Sequence, residues 1–190
     1  MLKPLNRLLY LFFCLALCTS SSAFAVQKEY VLKAGFLYNF ARLGQWQSAP
    51  ENGSDFLICS PDSQFIAIAN AALENRKVHK RHLRNKLTPL EATALEGCDI
   101  VFITDNTYNM WLDAHPALNL KNTMIVGETD GFIAAQGHIR FFLSSSKVRF
   151  EVAPSKLKKA GITMSSKVLR LARVVEGVNN EKLLLTQLNE

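Results

Sequence analysis

Apolar residues recur at two different spacings along this chain, and the two spacings predict helices that alternate with strands. Apolar positions three and four residues apart predict a first helix from Gln27 to Trp46. Short runs of almost continuous apolar residues predict strands at Asp55–Ser60, Cys98–Thr104 and Thr123–Val126. Continuous apolar strands are typical of a parallel sheet, because both of its faces are buried.

Helices are expected between these strands. One covers residues 65–73, with Asp62 or Ser63 as its cap. A second begins at Thr88-Pro89 and ends at Gly97, and a third opens at Asn106. Shorter or weaker elements complete the prediction: a strand at Lys77–Leu83, a helical turn at 155–160 ended by Gly161, a helix at 168–175 capped by Ser165, and a terminal helix at 180–188.

A late hairpin completes the predicted fold. Ile139–Leu143 and Val148–Val152 flank the polar residues Ser144–Lys147, which is the pattern of two antiparallel strands and a turn. The alternation of strands and helices therefore predicts an α/β fold. We expect a single-domain sandwich with a mostly parallel central sheet, flanking helices and a C-terminal β-hairpin.

The first 25 residues have the order of a secretory signal. Lys3 and Arg7 precede the apolar run Leu8–Leu17, and Ala23-Phe24-Ala25 forms a cleavage site. Ten apolar residues are about half of the roughly 20 that a membrane-spanning helix needs, which argues against an uncleaved anchor. Leu17 precedes Cys18 where a lipoprotein needs a small residue. We therefore expect cleavage after Ala25 and a periplasmic protein.

These boundaries divide the chain into three predicted parts. Residues 1–25 are the cleaved signal, 26–178 are the α/β domain, and 179–190 are a C-terminal tail that the pattern predicts to be helical.

Composition and charge exclude several classes of protein. The 190 residues are 48% hydrophobic, which argues against a disordered chain. The chain has 22 Lys and Arg against 16 Asp and Glu, or +6, and loss of Lys3 and Arg7 leaves +4. The segment Arg76–Lys86 has six cations, no acid and no aromatic residue. Export and the lack of stacking residues argue against a nucleic-acid partner, which leaves a solvated strand edge or an anion site.

The sequence contains no convincing catalytic or metal site. Ser144–Lys147 and Ser155–Lys158 both match S-x-x-K, but they lie in a predicted turn and a predicted cap, without the partner motifs of a serine hydrolase. His79 and His82 would point to opposite faces of a strand and lie among cations. We therefore expect no catalytic residue, no metal and no cofactor.

Cys59 and Cys98 are the two cysteines of the mature chain. In an oxidising compartment they form either one bridge or two buried thiols. The predicted strands, in simple register, put the two residues toward opposite ends, which conflicts with a bridge.

Three polar residues in apolar surroundings are candidates for binding a partner protein: Asn39 in the first helix, and Arg149 and Glu151 in the late hairpin. We expect Asn39 to need a hydrogen-bond partner, and Glu151 either to pair with Arg149 or Arg170 or to face another protein.

Several segments resemble the YfiR family of periplasmic regulators. Tyr30–Ala41 resembles the family's first helix, with its run K-A-x-[FY]-[IL]-Y-N-F-[AT]. Arg149–Val152 resembles the closing R-F-E-I motif. The resemblance extends from Gln27 to Val175 and includes a central strand (98–103), a glycine turn (126–132) and a closing helix signature (160–172).

The resemblance implies a regulator rather than an enzyme. YfiR-like proteins form homodimers and restrain an inner-membrane diguanylate cyclase by binding its periplasmic sensor domain, which lowers cyclic di-GMP signalling and biofilm formation. An outer-membrane lipoprotein can sequester them. Cys59 and Cys98 fit the family's first disulfide, whereas Ile133 and Arg140 occupy the region of a second pair that some relatives have. The alternatives are a small-molecule-binding sensor for another membrane signalling protein and a serine hydrolase.

Overall fold

The computed structural model of the protein describes residues 21–48 and 54–175. Residues 1–20 of the predicted signal and the predicted helix at 180–188 lie outside the described residues. Among the described helices, none combines the length and the apolar character that crossing a membrane requires.

One mixed sheet forms the centre of the domain. Its strands are β2 Phe56–Ser60, β3 Lys77–Val78, β4 Arg81–Leu87, β5 Ile100–Ile103, β6 Met124–Gly127, β7 Ile139–Ser144, β8 Lys147–Val152 and β10 Arg173–Val174. Their spatial order is β10-β8-β7-β6-β5-β2-β4-β3, and only β3–β4 and β7–β8 pair antiparallel. The series β4-β2-β5-β6-β7 has the strand order of flavodoxin-like folds. The predicted α/β fold with a mostly parallel sheet and a late hairpin is therefore confirmed.

Helices cover both faces of the parallel part of the sheet. They are α1 Ser21–Leu43, α2 Ser63–Ala72, α3 Ala92–Leu95, α4 Tyr108–Ala114, α5 Pro154–Lys159 and α6 Ser166–Leu169. On one face, α1 places Phe40 against Phe150 with ring centroids 4.9 Å apart. On the other face, Trp111 and Phe132 belong to a second apolar cluster that contains both cysteines.

The first helix ends three residues earlier than predicted. Gly44–Trp46 is a strand, β1, which pairs antiparallel with β9, Ile162–Met164. A Cβ atom on Gly44 would lie 2.9 Å from the Phe40 carbonyl oxygen. The apolar spacing is compatible with a longer helix, but pairing with a strand more than a hundred residues away decides the structure.

Three other boundaries correct the predictions. The region 77–87 is a hairpin rather than one strand, because His79 and Lys80 adopt positive φ at its turn. The helix expected from Thr88 begins at Ala92, since the Thr88 backbone N–H donates to the Ser60 carbonyl. The helix expected at 168–175 stops at Leu169, because Arg173–Val174 pairs with β8.

The structure joins Cys59 to Cys98, with the two Cα atoms 6.0 Å apart. The conflict seen in the sequence disappears because Cys98 precedes β5 instead of beginning it. Cys59 lies beside Val101 in the sheet, while Cys98 lies in the turn after α3. Because Cys98 is not paired in the sheet, strand register does not fix its position. It can therefore lie close enough to Cys59 for a disulfide.

Candidate functional site

The crevice where ligands usually bind in this type of sheet is filled. In open α/β sheets that crevice lies at the carboxyl ends of the strands where the strand order reverses, here between β2 and β5. Asp62 accepts hydrogen bonds from the Thr104 hydroxyl (2.7 Å) and the Phe65 backbone N–H (3.0 Å). Tyr30 of α1 is buried beside them. Burial, reinforced by Glu128 and Asp62, raises the pKa of Tyr30. The polar groups here are buried, and Asp62 and Thr104 bind each other.

A charged cleft lies one strand further along, at the carboxyl ends of β5 and β6. Lys33 of α1 donates to Glu128 at 2.5 Å, and both side chains are buried. Lys33 also pairs with Glu29. Burial raises the pKa of Glu128, although Lys33 opposes the shift. Asp105 lines the same cleft, which has a volume of about 580 Å³. The cleft ends at Arg140, where a second group of charges begins.

That second group lies on a sheet face that the described helices leave partly exposed. Because side chains alternate along a strand, Arg140 and Phe142 of β7 share this face with Arg149 and Glu151 of β8. Arg149 lies opposite Phe142 and is exposed. Arg173 of β10 lies over the Phe142 ring at 4.4 Å. We call these five residues the open face: Arg140, Phe142, Arg149, Glu151 and Arg173.

Glu151 is the buried anchor of the open face. It accepts hydrogen bonds from Nε of Arg140 at 2.7 Å and from Nε of Arg173 at 2.9 Å. The pairing expected with Arg149 or Arg170 is therefore wrong, because cross-strand neighbours in the sheet reach the carboxylate first. Burial alone would raise the pKa of Glu151, but the hydrogen bonds from the two arginines hold it below its ordinary value.

The three predicted partner-binding residues are not brought together. Arg149 and Glu151 share the open face, whereas Asn39 lies on the solvent side of α1. Since α1 packs Phe36 and Phe40 on the opposite face of the hairpin, helix and sheet separate Asn39 from the other two. Asn39 is exposed, so solvent can hydrogen-bond its amide and it does not need a hydrogen-bond partner inside the protein. Its part in binding a partner protein stays a prediction.

The serines of the two motifs line neither of the two cavities described here and lie in a turn and on an exposed part of a helix. Ser144 and Lys147 face each other across the β7–β8 turn, in which Ser145 and Ser146 have positive φ. Ser155 is exposed within α5. His79 is at the tip of the β3–β4 hairpin, and the described residues contain no cluster of three metal-ligating side chains. The predicted turn at Ser144–Lys147 is confirmed, whereas the prediction that His79 lies on a strand is wrong, because it lies in the turn between β3 and β4.

Sequence reasoning missed Arg140, Arg173 and the Lys33–Glu128 pair. Arg140 is the second residue of the segment Ile139–Leu143, which the pattern identifies only as half of a hairpin, and Arg173 falls in a predicted helix. One signal was available for Arg140. Successive side chains of a strand point to opposite faces, so if Phe141 points into the core, Arg140 must point away from it. No local signal links Lys33 to a carboxylate 95 residues away.

His138 directly precedes β7 and points to the same side of the sheet as Arg140. Hydrogen bonds to Ile125 hold its ring in place. Its Nδ1 accepts the Ile125 backbone N–H at 3.0 Å, and its own backbone N–H donates to the Ile125 carbonyl at 2.9 Å. Burial, with a contribution from Lys156, lowers the pKa of His138 from its ordinary 6.5 to about 4.

Acid should therefore destabilise the fold through His138. Above pH 6.5 the ring is neutral in both states, while between pH 6.5 and about 4 only the unfolded chain takes up the proton. Because only the unfolded chain binds this proton, the free energy of unfolding should fall by about 2 kcal/mol between pH 7 and pH 5. Urea unfolding at the two pH values checks it.

The comparison variant is His138→Asn, which should lose less stability on acidification than the wild type, with exposed His82→Gln as the control. Equal pH dependence in His138→Asn and the wild type would show that His138 does not titrate as the structure indicates.

The fold and the site define a class: an α/β protein with flavodoxin-like strand order, a filled switch-point crevice and a charged sheet face exposed to solvent. The sequence profile of the YfiR/HmsC-like family matches residues 30–173, and the chain belongs to this family. It is a family of periplasmic regulators of diguanylate cyclase signalling rather than of catalysts. No curated protein matches the chain.

Proposed function

We propose that this protein is a periplasmic repressor that binds the sensor domain of an inner-membrane diguanylate cyclase through its open face. The N-terminal signal directs export and is cleaved after Ala25. The exported domain acts by stoichiometric binding, not by catalysis. A homodimer, and sequestration by an outer-membrane lipoprotein, are part of the same proposal.

One observation carries the choice of surface. The open face presents the cations Arg140, Arg149 and Arg173, of which Arg140 pairs with Glu151 and with the exposed Asp130, and Arg173 pairs with Glu151. The exposed Arg149 has no ion pair among the described residues. An unpaired guanidinium beside a partly exposed aromatic ring is the kind of group that dominates binding energy at protein interfaces. Its charge fits an acidic patch on the partner.

Family membership supports the choice of partner. Because the match covers nearly the whole described domain, including the strand that carries Arg149, regulation of a cyclase is the function that best fits both findings. The switch-point crevice also favours binding over catalysis, since the polar side chains described there, Asp62, Thr104 and Tyr30, are buried.

Reversing the charge of Arg149 should abolish repression without unfolding the protein. In a deletion strain that carries the cognate cyclase, cyclic di-GMP rises, wild-type protein restores the low level, and Arg149→Glu does not. We expect affinity of the purified variant for the sensor domain to fall on the order of tenfold or more. Stability should change by no more than about 0.5 kcal/mol, because Arg149 is exposed.

The matched control is Lys121→Glu, an equal charge reversal at an exposed position before β6. Repression by Lys121→Glu and failure of Arg149→Glu would locate the interface. Normal repression by both variants would reject the open face, and unchanged cyclic di-GMP in the deletion strain would reject the regulatory role itself.

A further inference from the structure

A second cavity lies on the sheet face that holds the disulfide, which is also the side of β7 that carries the open face, but at the amino end of that strand. It has a volume of about 440 Å³, and its walls include Trp111, His115, Leu118, Ile125 and His138. That volume is in the range of small-molecule sites. No Asp, Glu, Lys or Arg is among the described side chains that line it. Its walls combine apolar and aromatic side chains with uncharged polar ones, namely Asn119, Gln136 and the two histidines.

His138 gives the cavity a fixed hydrogen-bond donor. Its Nδ1 accepts the Ile125 N–H, and a neutral imidazole carries one donor and one acceptor nitrogen, so the proton is on Nε2. His138 is only 6% exposed, and no described residue accepts a hydrogen bond from its Nε2. A donor that is held rigidly, nearly buried and without a protein acceptor is the arrangement expected where a ligand atom completes the bond.

His115 supplies the opposite polarity. Its Nδ1 lies 3.0 Å from the Trp111 carbonyl oxygen and 3.1 Å from that of Leu112. Carbonyl oxygens only accept, so Nδ1 is the donor, and in the neutral ring Nε2 is an acceptor. The ring stacks on Trp111 at 5.3 Å, which fixes its plane. The two histidines therefore present one donor and one acceptor at a single cavity.

We propose that this cavity binds a small uncharged molecule that has an apolar body and a carbonyl next to an N–H or O–H group. His138 Nε2 donates to the carbonyl oxygen, His115 Nε2 accepts from the N–H or O–H, and the body packs between Trp111 and Ile125. The cavity and the open face share no residue, and His138 of the cavity is two residues from Arg140 on the same side of β7.

Benzamide is a suitable probe, since it has an aromatic body, a carbonyl and an N–H group and is uncharged. In a nitrogen-15 NMR titration of the mature protein, we expect benzamide to shift the Ile125 amide, the Trp111 indole N–H and the His138 ring signals together. The dissociation constant should be on the order of 1 mM, as befits a fragment of this size. Toluene, which lacks the amide, should bind several-fold more weakly than benzamide. So should benzoate, which carries a negative charge.

The variant that tests the polar contact is His115→Phe, which keeps a flat ring on Trp111 and removes the acceptor, together with the Nδ1 bonds to the Trp111 and Leu112 carbonyls. It should weaken benzamide binding several-fold, while exposed His82→Phe leaves it unchanged. His138→Asn tests the donor, and because His115→Phe removes only a half-buried group, the proposal can be judged even if His138→Asn does not fold.

Three results would overturn the proposal. They are no shift at about 20 mM benzamide, shifts confined to other surfaces, and equal affinity for benzamide and toluene.

Discussion

Replacing Cys59 and Cys98 together with alanine should lower the free energy of unfolding by about 4 kcal/mol. The bridge closes a loop between residues 39 apart in sequence, and removing it restores the conformational freedom of that loop to the unfolded chain. A domain of this size is stable by only about 5–15 kcal/mol, so the loss is a large fraction of the total. Urea unfolding of the mature wild type and the double variant measures it.

Reductant provides the control for this experiment. Reduced wild type lacks the cross-link but keeps both sulfur atoms in the second apolar cluster. Comparing it with the double variant therefore separates the effect of the cross-link from that of the small cavities that alanine leaves. Wild type should lose stability in reductant, whereas the double variant should not respond. If reductant leaves the wild type unchanged under conditions in which both thiols become alkylated, the bridge does not stabilise the fold.

The same result bears on regulation. A regulator that loses about 4 kcal/mol on reduction is more often unfolded and more often degraded, so its abundance follows the oxidising capacity of the compartment. Since Ile133 and Arg140 occupy the region of the second cysteine pair of some relatives, any redox response of this protein depends on the single bridge between Cys59 and Cys98.

Glu151→Gln should cost about 3 kcal/mol, because it leaves the buried guanidinium of Arg140 without its main counter-charge. The Arg140 side chain is 10% exposed, and its other partner is Asp130, whose own side chain is almost fully exposed. Arg173 is more than half exposed, so solvent compensates its loss. The cost therefore comes chiefly from Arg140, and thermal or urea unfolding measures it.

The matched control is Glu96→Gln at an exposed position, which should change stability by no more than about 0.5 kcal/mol. The effect of Glu151→Gln should also shrink in acid. The two arginines lower the pKa of Glu151, so its contribution is full above the ordinary value of 4.5 and disappears as pH falls through the lower folded-state pKa. A loss at pH 7 no larger than that of Glu96→Gln would show that solvent or Asp130 already neutralises Arg140.

The local sequence pattern was sufficient to predict an element where all of its residues have the same kind of surroundings. Ile100–Ile103 is buried on both faces, and its continuous apolar run predicted a central parallel strand. The late hairpin was found for a related reason, because polar turn residues separate two strands. Boundaries failed where a distant partner competed, as at Gly44–Trp46, Thr88 and Arg173, since a hydrogen bond to another strand outweighs a weak helix preference.

The sequence by itself determined the class of fold, the export prediction, the identity of the two cysteines that can pair, and the resemblance to the YfiR family, because these depend on composition, periodicity and local motifs. Only the tertiary structure decided that Glu151 pairs with Arg140 and Arg173, that Asn39 lies away from Arg149, and that His138 and His115 meet at one cavity. These relations depend on strand order and register. Register is set by the packing of side chains from distant segments, which no local spacing in the sequence encodes.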